Sequence, residues 1–418
     1  MPFSIERAAA AGPSVSLATW SAAVDTVKAQ LAAFEAKTGV SVAYSNSPWA
    51  QYRESTITKF VGGAPVDVLW VSDSWLPEWA EAGWIAPVNG YKNLMDYNAD
   101  ADQFCIDSMT YKGQQYGLTY YNDYMAFLYN EDMLKKAGID APPKTWADVT
   151  EQALKIKSAK LSDYPVMISM AQESWLIEFM SALVFSHGGR FTDDKGSAAL
   201  ASAKDGALPA LTWLVDAVRK HKTLSPACVE TGELAGLKAF GSGQHAFALI
   251  AKYRLRTLND PQQSQVAGKV RQALMPSGGS TGSNATVGWM RFYGMTPRAK
   301  ADKAREAASV KLVEWLGGKA DGDYRVQKAL FKDLGLGFGV KSLFSDPEIR
   351  QGYAGFADVD MVQKQQDLAR RKDVITPWFG EWNDVNGTAW QQAVIGKVTP
   401  EAALKTSAAK WDELKKQA

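Results

Sequence analysis

Two carboxylates, Asp73 and Glu173, each follow a strand-like segment of the 418-residue chain. A facing pair of carboxylates is the machinery of glycoside hydrolases, with the groups about 5 Å apart in retaining enzymes and about 6.5–9.5 Å apart in inverting ones. The same side chains could instead accept hydrogen bonds from the hydroxyls of a bound solute. Because sequence does not measure their separation, a glycosidase and a binding protein both stay open at this point.

Aromatic residues are the second chemical signal, since Phe, Trp and Tyr make up 11% of the chain and 15 residues are tryptophan. Spread through a core, they fill volume. Gathered at loops, they form flat apolar plates edged by one polar group, a shape suited to the face of a sugar ring. Trp20 and Trp175 follow strand-like segments and favour recognition, whereas a helix carrying Trp75, Trp79 and Trp84 favours packing.

Charge and ligand chemistry exclude several classes of partner and cofactor. Lys and Arg number 46 and Asp and Glu 45, a net charge of +1, so we expect no nucleic acid and no anionic membrane surface as partner. With three scattered histidines and two cysteines, we expect no metal site and no cofactor. Cys105 and Cys228 could form a disulfide in an oxidising compartment, but two buried thiols are the favoured interpretation.

Hydropathy gives no transmembrane helix, because the most apolar run, 175–185, falls well short of the ~20 residues that a span needs. The N-terminal stretch 1–13 lacks the apolar core of a signal peptide, although the alanine run 8–11 could surround a cleavage site. We therefore interpret the chain as mature or trimmed.

The first 75 residues alternate strand and helix patterns in the order β-α-β-α-β, which predicts a doubly wound parallel sheet. The segment 66–71 is almost continuously apolar, as is typical of a strand buried on both faces. Ligands of such sheets bind beyond the carboxyl ends of the strands. Those ends carry Trp20–Ser21, Ser45–Ser47 and Ser72–Ser74, none of them glycine-rich, which favours recognition of a neutral polar group over phosphate.

A long strand is predicted over 116–129, with Asn122 and Asp123 in its middle, where a carboxylate needs a partner or a wet cleft. The stretch from about 125 to 275 repeats the α/β pattern and indicates a second lobe. The segment Ser277–Ser283 is the most linker-like of the chain.

Five segments resemble extracellular solute-binding proteins of the maltose-binding type, which serve sugar importers. They are FEAKTGVSV (34–42), VDVLWVSDSWLPEWAEAGWIAPV (66–88), KGQQYGLTYYNDYMAFLYNEDMLKKAGI (112–139), GSGQHAFALIAKYRLRTL (241–258) and TPWFGEWNDVNGTAWQQAVIGKVTPEAAL (376–404). The third is the most specific, because a hairpin and a hinge strand precede the YN-x-D-x(2)-K-x-AGI pattern. The matches extend over nearly the whole chain.

The resemblance implies a fold of two doubly wound α/β lobes joined by a hinge, like type II periplasmic binding proteins, with a sugar captured between the lobes. We expect an N-terminal lobe of residues 1–121 plus 276–316 and a C-terminal lobe of 122–275 plus 317–418. The expected hinge segments are 121–124, 272–276 and 315–318. The resemblance further implies a monomeric, non-enzymatic, periplasmic protein that delivers its ligand to the membrane permease of an ABC importer.

Strand ends and family positions together give the candidate ligand-binding residues. These are Trp20, Ser21, Ser45, Asp73, Asn122, Asp123, Glu173, Trp175, Tyr253, Trp289, Arg291, Trp378 and Trp382. Asp73 could equally cap a helix, and Asp123 could belong to a hinge ion pair, for instance with Arg291. Trp20 could be a core residue.

Two alternatives to a sugar-binding protein stay open. Basic residues at Arg254, Arg256 and Arg291 favour an anionic solute, because a guanidinium binds carboxylate, sulfonate or phosphate with two hydrogen bonds. A polyol is another candidate ligand of the same fold. A glycosidase acting through Asp73 and Glu173 is the less favoured alternative.

Overall fold

The computed structural model describes residues 13–202, 205–278 and 282–418. The described chain forms two compact α/β units, both discontinuous in sequence. Unit 1 comprises the described residues up to Tyr121, Met290–Asp333 and Phe338–Val340, and unit 2 comprises those of Asn122–Trp289, Leu334–Gly337 and Lys341–Ala418. The lobe and hinge bounds expected above stay a prediction. The N-terminal interpretation of residues 1–12 lies outside the described residues, as does part of the linker-like segment.

The helices and strands follow one another in an α/β order. The N-terminal elements are β1 (Ser14–Trp20), α1 (Val24–Thr38), β2 (Ser41–Ser47), α2 (Trp49–Val61), β3 (Val68–Ser72), α3 (Leu76–Glu81), α4 (Lys92–Asp100), α5 (Gln103–Ser108), β4 (Thr110–Tyr111), β5 (Gln114–Gln115) and β6 (Gly117–Asn130). The middle elements are α6 (Glu131–Lys136), α7 (Trp146–Ser158), β7 (Val166–Met167), α8 (Leu176–Ser186), α9 (Leu208–Arg219), α10 (Glu233–Gly241), β8 (Phe247–Ala251), α11 (Leu255–Leu258), β9 (Val270–Ala273) and β10 (Thr286–Met295).

The C-terminal elements are mostly helical. They are α12 (Lys303–Gly317), α13 (Arg325–Leu334), α14 (Pro347–Ala354), α15 (Val359–Asp367), β11 (Ala369–Arg370), α16 (Phe379–Val394) and α17 (Pro400–Gln417). Short 3₁₀ helices cover Asp73–Trp75, Pro226–Glu230, Lys252–Arg254, Pro297–Lys300 and Lys341–Ser345.

Unit 1 contains the doubly wound sheet that the sequence predicts. Strands β2, β1 and β3 are parallel neighbours in that order, and β10 runs antiparallel beside β3. All five residues of β3 are buried, because helices α2 and α12 contact the sheet and both of its faces are covered. Burial of their apolar side chains fixes the register of these strands, and the register sets the positions of the polar residues at the strand ends.

In unit 2, strand β8 lies between β6 and β7 in the strand order. Strand β8 is antiparallel to β6 and parallel to β7, and β9 also pairs with β6. Helices α8, α9, α16 and α17 pack on one another beside these strands. Trp382, Trp390 and Trp411 fill the space between these helices and are each almost completely buried.

Several helices end at residues whose types favour helix capping. The Asn130 side chain accepts a hydrogen bond from Met133 N at the start of α6, and Thr145 with Asp148 forms a capping box on α7. Gly39 ends α1 with a φ of 69°, a left-handed conformation that glycine adopts without steric cost.

Two local features depart from simple sequence patterns. Ser21 follows β1 but does not cap α1, because Ala23 takes the N-cap position with a φ of 48° and without a side-chain hydrogen bond. The mostly apolar segment Val166–Met170 forms a regular strand only at Val166–Met167. The backbone beyond Met167 leaves the sheet, since Met170 N and Ala171 N donate to Cys228 O and Thr231 O instead.

Cys105 and Cys228 are both buried thiols and are not joined to each other, which confirms the favoured interpretation of the two cysteines. Among the described residues, no helix has the length and apolar character needed to cross a membrane. Within the same residues, no group of three or more His, Cys, Asp or Glu side chains is placed to bind a metal ion.

We predict that the protein loses stability in mild acid because of His187 in unit 2. Burial lowers the pKa of its imidazole to about 4, although the hydrogen bond between Nδ1 and Leu183 O opposes the shift. In the unfolded chain the His187 imidazole binds a proton near pH 6.5, whereas in the folded chain it does so only near pH 4. Protonation therefore favours the unfolded chain, and stability is lost as the pH falls from about 6.5 to about 4. The free energy of unfolding should fall by about 2 kcal/mol between pH 7 and pH 5 from this residue.

Urea unfolding of the wild type and of His187→Gln at both pH values checks this prediction. The variant should lack this part of the pH dependence, and His221→Gln, as a matched control, should retain it. An equal pH dependence in the wild type and His187→Gln would contradict the assignment.

Candidate functional site

Strand register brings polar and aromatic side chains of unit 1 to one edge of its sheet. Trp20, the last residue of β1, pairs with Ser47, the last residue of β2. Ser72, the last residue of β3, pairs with Arg291 of the antiparallel β10. The carboxyl ends of the three parallel strands and Arg291 therefore lie at the same edge, called the unit 1 edge below.

Half-buried indoles cover the unit 1 edge. The rings of Trp49 and Trp75 stack with centroids 5.4 Å apart and planes 20° apart, and Trp20 lies 5.7 Å from Trp49. Beneath them Trp70 is fully buried and contacts all three rings. Trp20, Trp49 and Trp75 keep part of their surface exposed, so they form an apolar platform on a rigid base, the shape that suits the face of a sugar ring.

The Tyr52 hydroxyl explains why this platform is fixed. The ladder between β1 and β3 ends at Ala18 and Leu69. Just beyond it, the Tyr52 hydroxyl accepts from Trp70 N at 3.1 Å and lies 3.1 Å from Ala18 O and 2.8 Å from Trp70 O. The buried phenol replaces the missing ladder bonds and sets the position of Trp70.

Asp73 and Arg291 form a buried ion pair at this edge, with 2.8 Å between Arg291 Nη1 and Asp73 Oδ1. The Asp73 carboxylate also accepts from Ser74 N at 2.8 Å and from Met290 N at 3.2 Å. The Arg291 guanidinium lies over the Trp49 ring, 5.6 Å from its centroid, a cation–π arrangement. The Asp73 carboxylate is thus surrounded by hydrogen-bond donors.

The two serines of the candidate set lie at the surface. Ser21 is exposed and its Oγ donates to Asn46 Oδ1 at 2.7 Å. Ser45 is also exposed, and its Oγ is 3.4 Å from Leu17 O. Both serines therefore lie on the exposed surface of unit 1.

Unit 2 presents a second edge, formed where the parallel strands β7 and β8 end. The chain after β7 leads to Glu173 and Trp175, and the chain after β8 forms the 3₁₀ turn of Lys252, Tyr253 and Arg254. These residues are called the unit 2 edge below. Trp175 is half-buried, and its ring meets the buried Trp289 ring edge-on at 5.2 Å.

The N-terminus of α10 connects the two halves of the unit 2 edge. Glu173 Oε1 accepts from Glu233 N at 2.6 Å, and Arg254 binds the Glu233 carboxylate with two hydrogen bonds of 2.8 and 3.0 Å. The Arg254 guanidinium also stacks 4.7 Å from the centroid of the Tyr253 ring. One face of Tyr253 is therefore occupied, and 8% of the residue is exposed.

Asn122 and Asp123 lie in the interior of unit 2 rather than on its surface. Asp123 is fully buried and pairs with Lys252 at 3.3 Å, so its partner is not the Arg291 that the sequence suggested. Asn122 is 1% exposed, and its Oδ1 has no hydrogen-bond partner among the described residues. A direct ligand contact by Asp123 would require the pair to separate.

Trp378 and Trp382 both contact Trp411 of α17. The Trp382 ring is fully buried, its Nε1 donates to Ser407 O at 3.0 Å, and it meets the Trp411 ring at 5.1 Å. Trp378 is half-buried and contacts the same Trp411 at 4.5 Å. Trp382 therefore offers no ring face to a solute in this conformation and acts as a packing residue of α16 and α17.

Three residues of the two edges are absent from the candidates chosen by sequence. Trp49 follows Pro48 after the end of β2, so its indole lies at a strand end, where the sequence could have indicated it. Trp75 was assigned to packing with its helix. Glu233 carries no sequence signal, because its role depends on contacts with Glu173 and Arg254 that only the fold creates.

Fold and edges together define an α/β protein built to bind a small polar solute, and comparison with known proteins gives its family. Residues 17–322 match the family described as bacterial extracellular solute-binding protein. The chain belongs to this family. An ABC transporter-binding protein of Deinococcus radiodurans is 24% identical over 312 residues, which cover 72% of this chain and 69% of the relative.

Solved structures show the same fold. MalE3 of T. maritima with maltose bound has a TM-score of 0.82 and 22% identity, and the match covers 96% of this chain and 100% of that one. A solute-binding protein of Agrobacterium radiobacter K84 in complex with ribitol has a TM-score of 0.78 and 19% identity, with coverages of 96% and 99%. The fold is thus that of type II periplasmic binding proteins, and the family and fold class predicted from the sequence are confirmed.

We predict that Asp73→Asn strongly destabilises unit 1, because it leaves the Arg291 guanidinium buried without its counter-ion. Loss of one partner of a buried pair costs about 3–5 kcal/mol, whereas removal of both charges is often nearly neutral. The double variant Asp73→Asn/Arg291→Met should therefore be more stable than the single variant. Urea unfolding measured by tryptophan fluorescence distinguishes them, and a single variant as stable as the wild type would contradict the pairing.

Proposed function

We propose that this protein is the substrate-binding component of an ABC importer and that it captures a neutral sugar, oligosaccharide or polyol without altering it. The unit 1 edge and the unit 2 edge are the proposed contact surfaces. The observation that carries the proposal is the neutralisation of three basic residues at or beside these edges. Arg291 pairs with Asp73, Arg254 with Glu233, and Lys252 with Asp123.

A neutralised guanidinium retains hydrogen-bond donors but has little net attraction for an anion. Its paired carboxylate supplies acceptors beside those donors. Sugar and polyol hydroxyls both donate and accept hydrogen bonds, so they match such a pair. The half-buried indoles of Trp20, Trp49 and Trp175 supply apolar faces for the C–H surfaces of the ligand.

The structure gives less support to the two alternatives from the sequence. An anionic solute was favoured by Arg254, Arg256 and Arg291, and two of these, Arg254 and Arg291, each have a carboxylate partner within their own unit. A glycosidase needs one protonated carboxylic acid beside one ionised carboxylate. Here both carboxyl groups accept hydrogen bonds from backbone amides, Asp73 from Ser74 N and Met290 N and Glu173 from Glu233 N. The ribitol complex of a relative of the same fold adds support for a polyol as ligand.

The proposed partner is the membrane permease of the importer, and the proposed location is the periplasm. Membership of the extracellular solute-binding family supports the proposed location, and the ABC transporter-binding protein among the relatives supports the permease as partner. We further propose that the protein acts as a monomer, which light scattering would report as a mass near 45.6 kDa.

Thermal shift and isothermal titration against a panel of ligands test the proposed function. The panel contains monosaccharides, maltose, longer oligosaccharides, ribitol and mannitol, with sn-glycerol 3-phosphate and a sugar acid as anionic members. We expect at least one neutral member to bind with a micromolar or lower dissociation constant and to stabilise the protein by about 2.7 kcal/mol at 100 times that constant. Saturable binding confined to anionic members would contradict the proposal, as would turnover of any glycoside.

We predict that Trp49→Ala weakens binding of the neutral ligand about 3- to 10-fold, because a ring stack contributes about 0.5–1.5 kcal/mol beyond area burial. Trp84→Ala is the matched control, since Trp84 is also half-buried in unit 1 but stacks on Phe60. Titration calorimetry below the unfolding temperature measures both variants. Equal loss of affinity in the two variants would show that Trp49 is not a contact residue.

A further inference from the structure

Lys252 is a fully buried lysine that the binding role of the edges does not itself require. It directly follows β8 and precedes Tyr253 and Arg254 of the unit 2 edge, and 0% of its side chain is exposed. A buried ammonium is costly unless it is paired and hydrogen-bonded. Its partners therefore indicate what the residue does.

The partners of Lys252 come from three separate parts of unit 2. Its Nζ lies 3.3 Å from Asp123 Oδ2, 3.4 Å from Gly335 O and 3.4 Å from the Tyr353 hydroxyl. The Tyr353 ring also lies beneath the ammonium, 5.8 Å from its centroid. Burial disfavours the charged ammonium, but the attraction of Asp123 outweighs it and raises the pKa of Lys252.

Two of these partners lie close in sequence to positions where the chain passes from one unit to the other. Asp123 is the second residue of unit 2 after the change at Tyr121. Gly335 belongs to Leu334–Gly337, a four-residue piece of unit 2 with unit 1 residues on both sides of it in sequence. Lys252 thus binds two chain segments that each end at a boundary of unit 2.

Asp123 completes the same connection from the other side. Its Oδ2 is 3.4 Å from Gly337 N, and its Oδ1 accepts from Tyr124 N at 2.9 Å. The Leu334–Gly337 segment lies so close to its neighbours that a Cβ at Gly337 would overlap Asn122 O. A Cβ at Gly335 would lie 3.1 Å from Tyr253 O. The ion pair therefore fixes this segment against both the β6 strand and the Tyr253 turn.

We propose that Lys252 and Asp123 are positioning residues of the solute site. Their buried ion pair holds the Tyr253–Arg254 turn, the Asn122–Asp123 stretch and the Leu334–Gly337 segment in one fixed arrangement. The ligand-contacting side chains of the turn are thereby set in place before the solute arrives, which reduces the ordering cost of binding. This inference rests on the proposed function for its link to solute binding, but not for the fixed arrangement itself.

Hydrogen exchange of the ligand-free, full-length protein tests the fixed arrangement. The variant Asp123→Leu/Lys252→Met removes both charges with side chains of similar size, so no buried charge is left without a partner. We expect amide exchange in the peptides covering 334–337 and 252–256 to become at least tenfold faster. The matched control is Glu178→Met/Lys372→Met, which removes another buried lysine–carboxylate pair of unit 2 and should leave exchange in those peptides unchanged.

Isothermal titration of the same variants with maltose and ribitol tests the link to binding. We use whichever of the two probes the wild type binds. We expect its affinity for Asp123→Leu/Lys252→Met to be at least tenfold lower than for the wild type. Unchanged exchange at 334–337 would overturn the proposal, and faster exchange with unchanged affinity would reduce the pair to a structural role and overturn its positioning role.

If the wild type bound neither probe nor any member of the panel, the proposed function would fail, while the exchange result would still decide whether the pair fixes the segments. If the double variant did not fold, Tyr353→Phe, which removes one hydroxyl partner of Lys252, should accelerate exchange at 334–337 about two- to threefold. No acceleration in that variant would count against the proposal.

Discussion

The ion pair between Arg291 and Asp73 is the interaction on which the unit 1 edge depends. Arg291 reaches Asp73 because β10 runs antiparallel to β3 with Arg291 opposite Ser72. The same guanidinium lies over Trp49, so the pair fixes an indole as well as a carboxylate. The edge thus consists of aromatic faces and hydrogen-bonding groups whose charges cancel.

Cancellation of charge recurs in unit 2 and is the basis of the proposed preference for a neutral solute. Arg254 is held by Glu233 and Lys252 by Asp123, and in each pair the carboxylate comes from a different element of the same unit. A basic side chain left unpaired would attract anions, whereas these pairs offer donors and acceptors without a net charge. The electrostatics therefore agree with hydroxyl recognition beside indole faces.

The sequence was sufficient for the fold and for part of the candidate site. Buried strands such as β3 and capped helices such as α7 carry local signals, and polar residues at strand ends are located by the parallel topology. Ion pairs carry no such signal, because Asp123 and Lys252 meet only through the pairing of β6 with β8. For a related reason the sequence does not show that Trp382 is fully buried and Trp49 half-buried, since burial of an indole depends on neighbours from distant elements.

Native mass spectrometry of the protein with an equimolar mixture of maltose, ribitol and sn-glycerol 3-phosphate tests the central claim most directly, because it reports both the charge class and the integrity of what is bound. We predict a one-to-one complex whose added mass equals the mass of an intact neutral member of the mixture. A complex with the phosphate alone, or an added mass equal to a cleavage product of maltose, would contradict it.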